Sequence, residues 1–532
     1  MRAANTNAYY GAMTRAFSII FAVATAALAA PSAPHGRLLA ESGQADRARL
    51  TDAYAEVDRL VHDFIARRHV PGAAWGVIVD GRLAHTGTAG LRDVETKAPV
   101  AADTVFRIAS MTKSFTAMSI LKLRDEGKLS LDDAAERYVP ELKGLKYPTA
   151  DSPRITIRHL LSHAEGFPED NPWGDRQLAD SEEDLSAMLR GGIPFSNAPG
   201  IAYEYSNYGF AILGRIVSTV SKMKYGDYVA ANLLKPLGMN DTTLEQASVP
   251  SSKLAHGYRW EDERWKNEPL LSNGSFGSMG GMLTSVSDLG RYVGALLAAW
   301  PPRDGAEEGP IRRASLREMQ QVWRPAPASV SRDPSGNVQF TAGGYGYGLR
   351  VSETCAFRHV VAHGGGLPGF GSTMTWLPEY GVGFIAFGNL TYTGWGGVGT
   401  SALDTLVTKG GLRPRVPKPS AALTDARDAV SKLVVQWDDA AASRIAADNL
   451  FLDQTAERRR AAIDTLRAGV GACTAGSGFD EIENALRGRW TMTCERGKLQ
   501  VAITLAPTMP PTVQYLDVRR APSEPAASGL CR

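Results

Sequence analysis

Hydrophobic and polar positions change rhythm several times along this chain. Behind Arg2 and Arg15 lies an apolar run, Ala16-Phe-Ser-Ile-Ile-Phe-Ala-Val-Ala-Thr-Ala-Ala-Leu-Ala-Ala30. Ala73-Ala-Trp-Gly-Val-Ile-Val79 and Arg82-Leu-Ala-His-Thr86 flank Asp80-Gly81, a pattern that predicts a β-hairpin. Thr116 to Glu126 predicts a buried helix ending at Gly127. Arg358–Ala362, Ser372–Trp376 and Val382–Phe387 predict strands, the first two joined by a glycine-rich turn. Strands therefore come early and late, with helices and long loops between. That order predicts an α+β fold, an antiparallel sheet flanked by helices. Arg413-Pro-Arg-Val-Pro-Lys-Pro-Ser420 breaks the pattern as a proline-rich linker. Beyond it, Asp425–Leu450 and Gln454–Val470 have helical spacing. Arg489–Cys494, Leu499–Leu505 and Val513–Val518 have strand spacing. The expected organisation is a targeting segment at 1–30, a main domain at 45–412, a linker at 413–421 and a small C-terminal α+β domain at 422–532.

The first apolar run is 15 residues long, which suits a signal-peptide core and is short for a membrane span. Ala27 and Ala29 supply a small-residue cleavage site. The expectation is an exported protein, periplasmic or secreted, with no stable membrane span after cleavage. Export permits disulfides. Cys473 and Cys494 are the candidate pair, while Cys355 and Cys531 lie far apart in sequence and are left unassigned. No cysteine has metal-ligand spacing, and neither a metal nor a cofactor is expected.

Composition narrows the partners. The chain has 532 residues, 44% hydrophobic and 21% charged, enough for a large core. Its net charge is 58 − 56 = +2. No broad basic surface follows, so nucleic acid is not an expected partner. A small molecule or peptide is expected instead. The oligomeric state is not readable.

Three elements could carry chemistry. Ser110-Met-Thr-Lys113 puts a hydroxyl and an amine three residues apart, on one face of a helix. A lysine there can take the serine proton only if its pKa is lowered. The same spacing recurs at Ser119/Lys122 and Ser221/Lys224. Context favours the first, because Ser110 follows the strand-like Val105–Ala109 and opens a helix, where an oxyanion is favoured. Tyr205-Ser-Asn207 is the second element. It follows Pro199-Gly200 and precedes an apolar helix. A phenol beside a lysine cation ionises more easily and can act as a base. The Asn207 amide can serve both a substrate carbonyl and the lysine. His363-Gly364-Gly365-Gly366 is the third. Its glycines permit close backbone approach to a ligand, and an N–H there can complete an oxyanion hole with that of Ser110. His85-Thr-Gly87 also reads His-x-Gly but lies in the first hairpin, before Ser110. His159/His163 and His359/His363 are each four apart, without the acidic partner of a helical metal motif.

In this order the three elements resemble the serine β-lactamase and penicillin-binding protein superfamily. The resemblance is closest to the class C β-lactamase-like branch, which includes D,D-carboxypeptidases, D-aminopeptidases and esterases. It extends to Phe106–Phe115, Glu126–Asp133, Thr156–Gly166, Gly280–Ser285 and Gly364–Gly371, and so covers roughly residues 50–410. What it implies is an acyl-enzyme on Ser110, with Lys113 and Tyr205 sharing the base role. Asn207, His363 and the three glycines 364–366 would bind substrate. The substrate would be a D-amino-acid peptide, possible peptidoglycan fragments included, a small amide or an ester. One departure stands out. True β-lactamases of this branch carry Lys-Thr-Gly where this chain has His363-Gly364-Gly365. A mostly neutral histidine and a missing hydroxyl hold a carboxylate less firmly. Efficient β-lactam hydrolysis is therefore not expected. The alternatives are a weak β-lactamase and a non-catalytic sensor of penicillin or muropeptides.

Overall fold

A computed structural model describes residues 35–171, 173–332, 336–415, 417–474 and 478–522. The expected signal peptide and Cys531 lie outside them. The chain divides into two units, Met1–Ala48 and Arg49–Arg532. Of the first, only the start of helix α1 (His35–Arg68) is described.

The second unit is built on a nine-stranded antiparallel sheet. Its strands are β1 (Gly72–Val79), β2 (Arg82–Asp93), β3 (Ala98–Pro99), β4 (Arg324–Arg332), β5 (Val338–Tyr345), β6 (Arg350–Thr354), β7 (Val360–Leu367), β8 (Phe370–Leu377) and β9 (Val382–Gly388). The spatial order is β3-β2-β1-β9-β8-β7-β6-β5-β4. The early hairpin and the late strands thus meet in mid-sheet, where Ala73 to Val79 pair with Gly388 to Val382. This is the α+β arrangement the sequence predicts.

Strand alternation sorts β1 into two faces. Ala73, Trp75 and Val77 pack with Ala53, Val57 and Val61 of α1 and with Ala402, Leu403 and Leu406. The last three belong to α7 (Gly396–Thr408). Ala74 and Ile78 join the larger core on the opposite face. That core is built with α2 (Thr112–Asp125), α5 (Asn207–Ser221) and α6 (Val286–Ala298). Two shorter helices, α3 (Trp173–Arg176) and α4 (Glu182–Gly191), lie between α2 and α5 in sequence. Helix α2 is buried on nearly every side, from Thr112 to Leu121 and at Leu123. Its Thr and Ser hydroxyls bond back to carbonyls of the preceding turn, so the helix can lie in the interior, and that carries Lys113 there too.

A third core lies in the C-terminal region. Its helices are α8 (Ala421–Val435), α9 (Asp439–Ile445) and α10 (Ala456–Val470). The helix expected over 425–450 is interrupted at Gln436–Trp437. The Asp438 side chain then accepts the Ala441 N–H and starts a new helix. The strands are β10 (Cys473–Thr474), β11 (Glu481–Asn484), β12 (Arg487–Cys494), β13 (Gly497–Leu505) and β14 (Val513–Arg520). Cys473 and Cys494 face each other across β10 and β12 and form a disulfide. Cys355 is disulfide-bonded as well. Arg415 of the linker is pinned to Asp80 at 2.6 Å and to the Trp300 carbonyl at 2.9 Å. No helix among the described residues is long and apolar enough to cross a membrane.

Candidate active site

Ser110 sits in a 3₁₀ turn, Ala109–Met111, directly before α2. Ala109 takes a left-handed φ of 48°, an unusual value for a residue with a side chain, so the chain bends sharply there. The bend is clamped from both sides. Phe106 and Arg107 pair with Thr284 and Leu283, and the Ile108 N–H donates to the Met282 carbonyl. The Ile108 carbonyl accepts the Ser372 hydroxyl of β8 at 2.8 Å.

Lys113, one helical turn on, is completely buried. Its Nζ lies 2.6 Å from Asn207 Oδ1, 3.0 Å from the Met279 carbonyl and 3.1 Å from Ser110 Oγ. Two of these partners can only accept. A neutral amine has two N–H bonds and one lone pair. Asn207 and Met279 take the two N–H bonds, which leaves the lone pair for the Ser110 hydroxyl. Burial pulls the Lys113 pKa down to about 7, while Asp175, Asp170 and Glu169 push it back up. Both other Ser-x-x-Lys pairs are occupied elsewhere. Ser119 bonds the Phe115 carbonyl, Lys122 the Pro310 carbonyl, and Ser221 closes the end of α5.

Tyr205 reaches the site from the loop before α5. The Glu204 N–H donates to the His163 carbonyl, and the Ser206 N–H donates to His163 Nδ1 at 3.1 Å. The Tyr205 ring lies 4.8 Å below Lys113 Nζ. Its phenol does not ionise more easily, contrary to the sequence expectation. Burial drives its pKa well up, and the Ser110 hydroxyl and Arg350 only partly offset that. Asn207 opens α5. Besides holding Lys113, it donates from Nδ2 to Asn171 Oδ1 at 2.5 Å. Both oxygens of Asp170 cap the helix, accepting the N–H groups of Asn207 and Tyr208 at 2.7 and 2.8 Å.

The third element corrects one expectation. Gly364, Gly365 and Gly366 are not a turn; β7 runs straight through them to Leu367. They pair with Thr373, Ser372 and Gly371 of β8. A Cβ on Gly365 would fall 2.1 Å from the Ile108 carbonyl, and one on Gly366 would fall 2.8 Å from Tyr392 Cδ1. The glycines therefore let the strand pass against the nucleophile's own segment. Pairing with β6 ends at Ala362, so the edge beside residues 364–366 is left to the cleft. His363 lies on the same face of the sheet as the nucleophile's segment, its ring 6.4 Å from that of Tyr205 between centroids, but little of it is open to solvent. Strand alternation turns it to that face, 2% exposed. Its Nδ1 lies 2.6 Å from the Gly364 carbonyl, which can only accept, so Nδ1 carries the proton. Nε2 then accepts the Tyr345 hydroxyl at 2.8 Å. Burial, with Arg350 and Lys113 nearby, takes its pKa down to about 3. The ring is neutral, and both nitrogens are spoken for.

Ser110, Lys113, Tyr205, Asn207 and the glycine strand converge, from three separate stretches of the chain. The family model for beta-lactamase matches residues 57–409, which contain all of them. The chain belongs to the beta-lactamase family. Its members are serine hydrolases that share this α+β fold. Protein flp of Staphylococcus aureus (strain MW2) is 29% identical over 349 residues, and this chain spans 64% of that protein's length. The mitochondrial serine beta-lactamase-like protein LACTB of Mus musculus is 26% identical over 402 residues, or 60% of this chain and 72% of that protein. Among solved structures, an octameric penicillin-binding protein homologue from Pyrococcus abyssi has a TM-score of 0.58 at 22% identity, covering 85% of this chain and 96% of that one. A class C beta-lactamase in complex with cefoxitin has a TM-score of 0.53 at 21% identity, covering 68% and 99%.

Within this beta-lactamase-family site, several residues carry no motif. Arg350, the first residue of β6, lies over the rings of Tyr203 and Tyr205, 5.9 and 5.8 Å from their centroids. Asp175 is buried, and its Oδ2 accepts the Tyr392 hydroxyl at 3.1 Å. Burial lifts its pKa to about 6 against the pull of Lys113. The Met279 carbonyl is a backbone group that no side-chain pattern announces.

Proposed function

We propose that this protein is an exported serine hydrolase that acts through an acyl-enzyme on Ser110, with a small amide, a D-amino-acid peptide or an ester as substrate. One observation carries the reading. Lys113 has two N–H bonds committed to carbonyl acceptors, and its remaining direction points at Ser110 Oγ, 3.1 Å away. That is the posture of a general base.

In the proposed cycle, Ser110 Oγ attacks the substrate carbonyl carbon as its proton passes to Lys113 Nζ. The N–H groups of Ser110 and Gly366 hold the oxyanion. The leaving group departs with a proton from Tyr205, which stays a phenol because it is buried, and Lys113 returns a proton to Tyr205. Water then attacks the ester, the steps run in reverse, and the acid is released. The second Asn207 Nδ2 hydrogen is left for the substrate carbonyl on the acyl side. Arg350 lies over the Tyr205 ring beside the cleft and has no carboxylate within ion-pair distance among the described residues. It supports a leaving group that carries a carboxylate, a feature the sequence pattern argued against. A neutral His363 supports low β-lactam turnover, so nitrocefin hydrolysis is expected to be slow.

Intact mass tests the proposal. Wild type and Ser110→Ala are each exposed to a fluorophosphonate and to penicillin G, then assayed on p-nitrophenyl esters and D-alanyl peptides. The expected result is a fluorophosphonate adduct and turnover in wild type only. Labelling without turnover of any substrate would replace the hydrolase with a ligand sensor. Equal turnover by Ser110→Ala would end the proposal.

A further inference from the structure

Directly behind the Asn207 wall lies a cavity of about 480 Å³, within the range of small-molecule sites. Its lining is apolar: Phe167, Trp173, Met188, Ile193, Pro194 and Tyr208. Among the described residues, the charged ones in the lining are Glu169 and Asp170. Asp170 and Tyr208 connect the cavity to the site, because Asp170 caps the helix that starts at Asn207.

Three features mark it as built for a ligand rather than left over from packing. Trp173 stands 46% exposed at the rim, stacked parallel on Tyr208 with ring centres 6.1 Å apart. A tryptophan held by a stack at a cavity rim offers a fixed apolar face to a ligand. The buried Tyr208 hydroxyl has no hydrogen-bond partner among the described residues, a deficit that a bound group or water would correct. Glu169 is exposed and makes no ion pair among the described residues; partial burial raises its pKa against hydrogen bonds from Asn171 and the pull of Arg350, and a further cation would lower it. Apolar walls with a carboxylate at the lip that lacks a cation complement an apolar group that carries a positive charge.

We infer that this cavity is a specificity subsite for the acyl side of the substrate, taking an aromatic or branched alkyl group whose neighbouring charge is a protonated amine. The inference rests on the acyl-enzyme reading and narrows its substrate class. The remaining room lies at the end of α4. Gly191 lines the cavity, a Cβ added there meets nothing within 4 Å, and its φ is not in the left-handed range. Gly191→Phe can therefore fill the cavity without straining the backbone.

The test compares three p-nitrophenyl esters: acetate, phenylalanine with a free amine, and N-succinyl-phenylalanine. Wild type is expected to prefer the free-amine ester over both others by about tenfold or more in kcat/KM. Gly191→Phe is expected to lose about tenfold on that ester and to stay within about twofold of wild type on acetate, with an unchanged melting temperature. Glu169→Gln is expected to narrow the gap between the free-amine and succinylated esters. If Gly191→Phe slows acetate and phenylalanine esters equally, or neither, the subsite is overturned while the Ser110 reading stands. If wild type shows no preference for the aromatic ester, the subsite is overturned in the same way. If no reagent acylates Ser110, both readings fall together.

Discussion

The two walls of the Ser110 cleft carry opposite charge and use it differently. One wall is cationic. Arg350 lies across the faces of Tyr203 and Tyr205 with no carboxylate in ion-pair range among the described residues. The other wall is acidic, built from Glu169, Asp170 and Asp175. Most of its capacity is already committed. Asp170 caps α5 with both oxygens, and Asp175 takes the Tyr392 hydroxyl. Lys113 feels both walls in opposite senses, since Arg350 lowers its pKa and the three carboxylates raise it. Burial outweighs either. A cation held by ring faces keeps its hydrogen-bond donors for an incoming anion. Carboxylates spent on helix caps and hydroxyls tune the base instead of binding substrate.

Removing what lies between the walls should have the largest effect. Lys113→Met keeps the bulk of the side chain and deletes the base, so kcat/KM is expected to fall by about a thousandfold or more. In wild type, kcat/KM should rise with pH through about 7 as Lys113 loses its proton, and then level off. Stability follows the same group. The folded state binds fewer protons than the unfolded chain between about 7 and the ordinary lysine value of 10.5. Stability is therefore gained as pH rises through that window and lost as it falls. A pH–rate profile and melting curves on wild type and Lys113→Met measure both.

The cationic wall comes next. Arg350→Gln should cost about ten- to a hundredfold in kcat/KM on esters or peptides whose leaving group bears a carboxylate. It should cost little on p-nitrophenyl acetate. Equal losses on both would mean that Arg350 supports the fold of the wall and not the substrate.

These walls also mark where sequence reading stops. The local elements were legible because their causes are local. Asp80-Gly81 between alternating strands makes its hairpin, and Ser110-x-x-Lys113 lies on one helical face. Tyr205 and Asn207 were found because they precede an apolar helix. Arg350, Asp170 and Asp175 were missed because chain contacts over long separations bring them in. Asp170 lies 37 residues before its partner Asn207. The Met279 carbonyl offers no side-chain signal at all. His363 was found beside Tyr205, where the sequence expected it, but its burial was not legible. The glycines after it looked like a turn, and only pairing with Ser372 and Thr373 keeps the strand going and buries the ring. The break at Gln436–Trp437 had a signal in Asp438, a capping residue inside a helical pattern.

The smallest effect is the sharpest test of opposed walls. Asp175→Asn keeps the shape and removes a charge that raises the Lys113 pKa. The acidic limb of the pH–rate profile should move down by about half a unit to one unit. Arg350→Gln should move it up, because Arg350 acts on Lys113 in the other direction. Turnover of Asp175→Asn on p-nitrophenyl acetate should therefore exceed wild type at pH below the limb and match it on the plateau. Stability gives a second reading. The Asp175 carboxyl titrates at about 6 in the folded protein against an ordinary 3.8. Between those values the folded state holds more protons than the unfolded chain, so wild-type stability falls as pH rises through the window. Asp175→Asn should lack that fall. If both variants move the rate profile the same way, the walls do not oppose each other at Lys113, and burial alone sets its proton affinity.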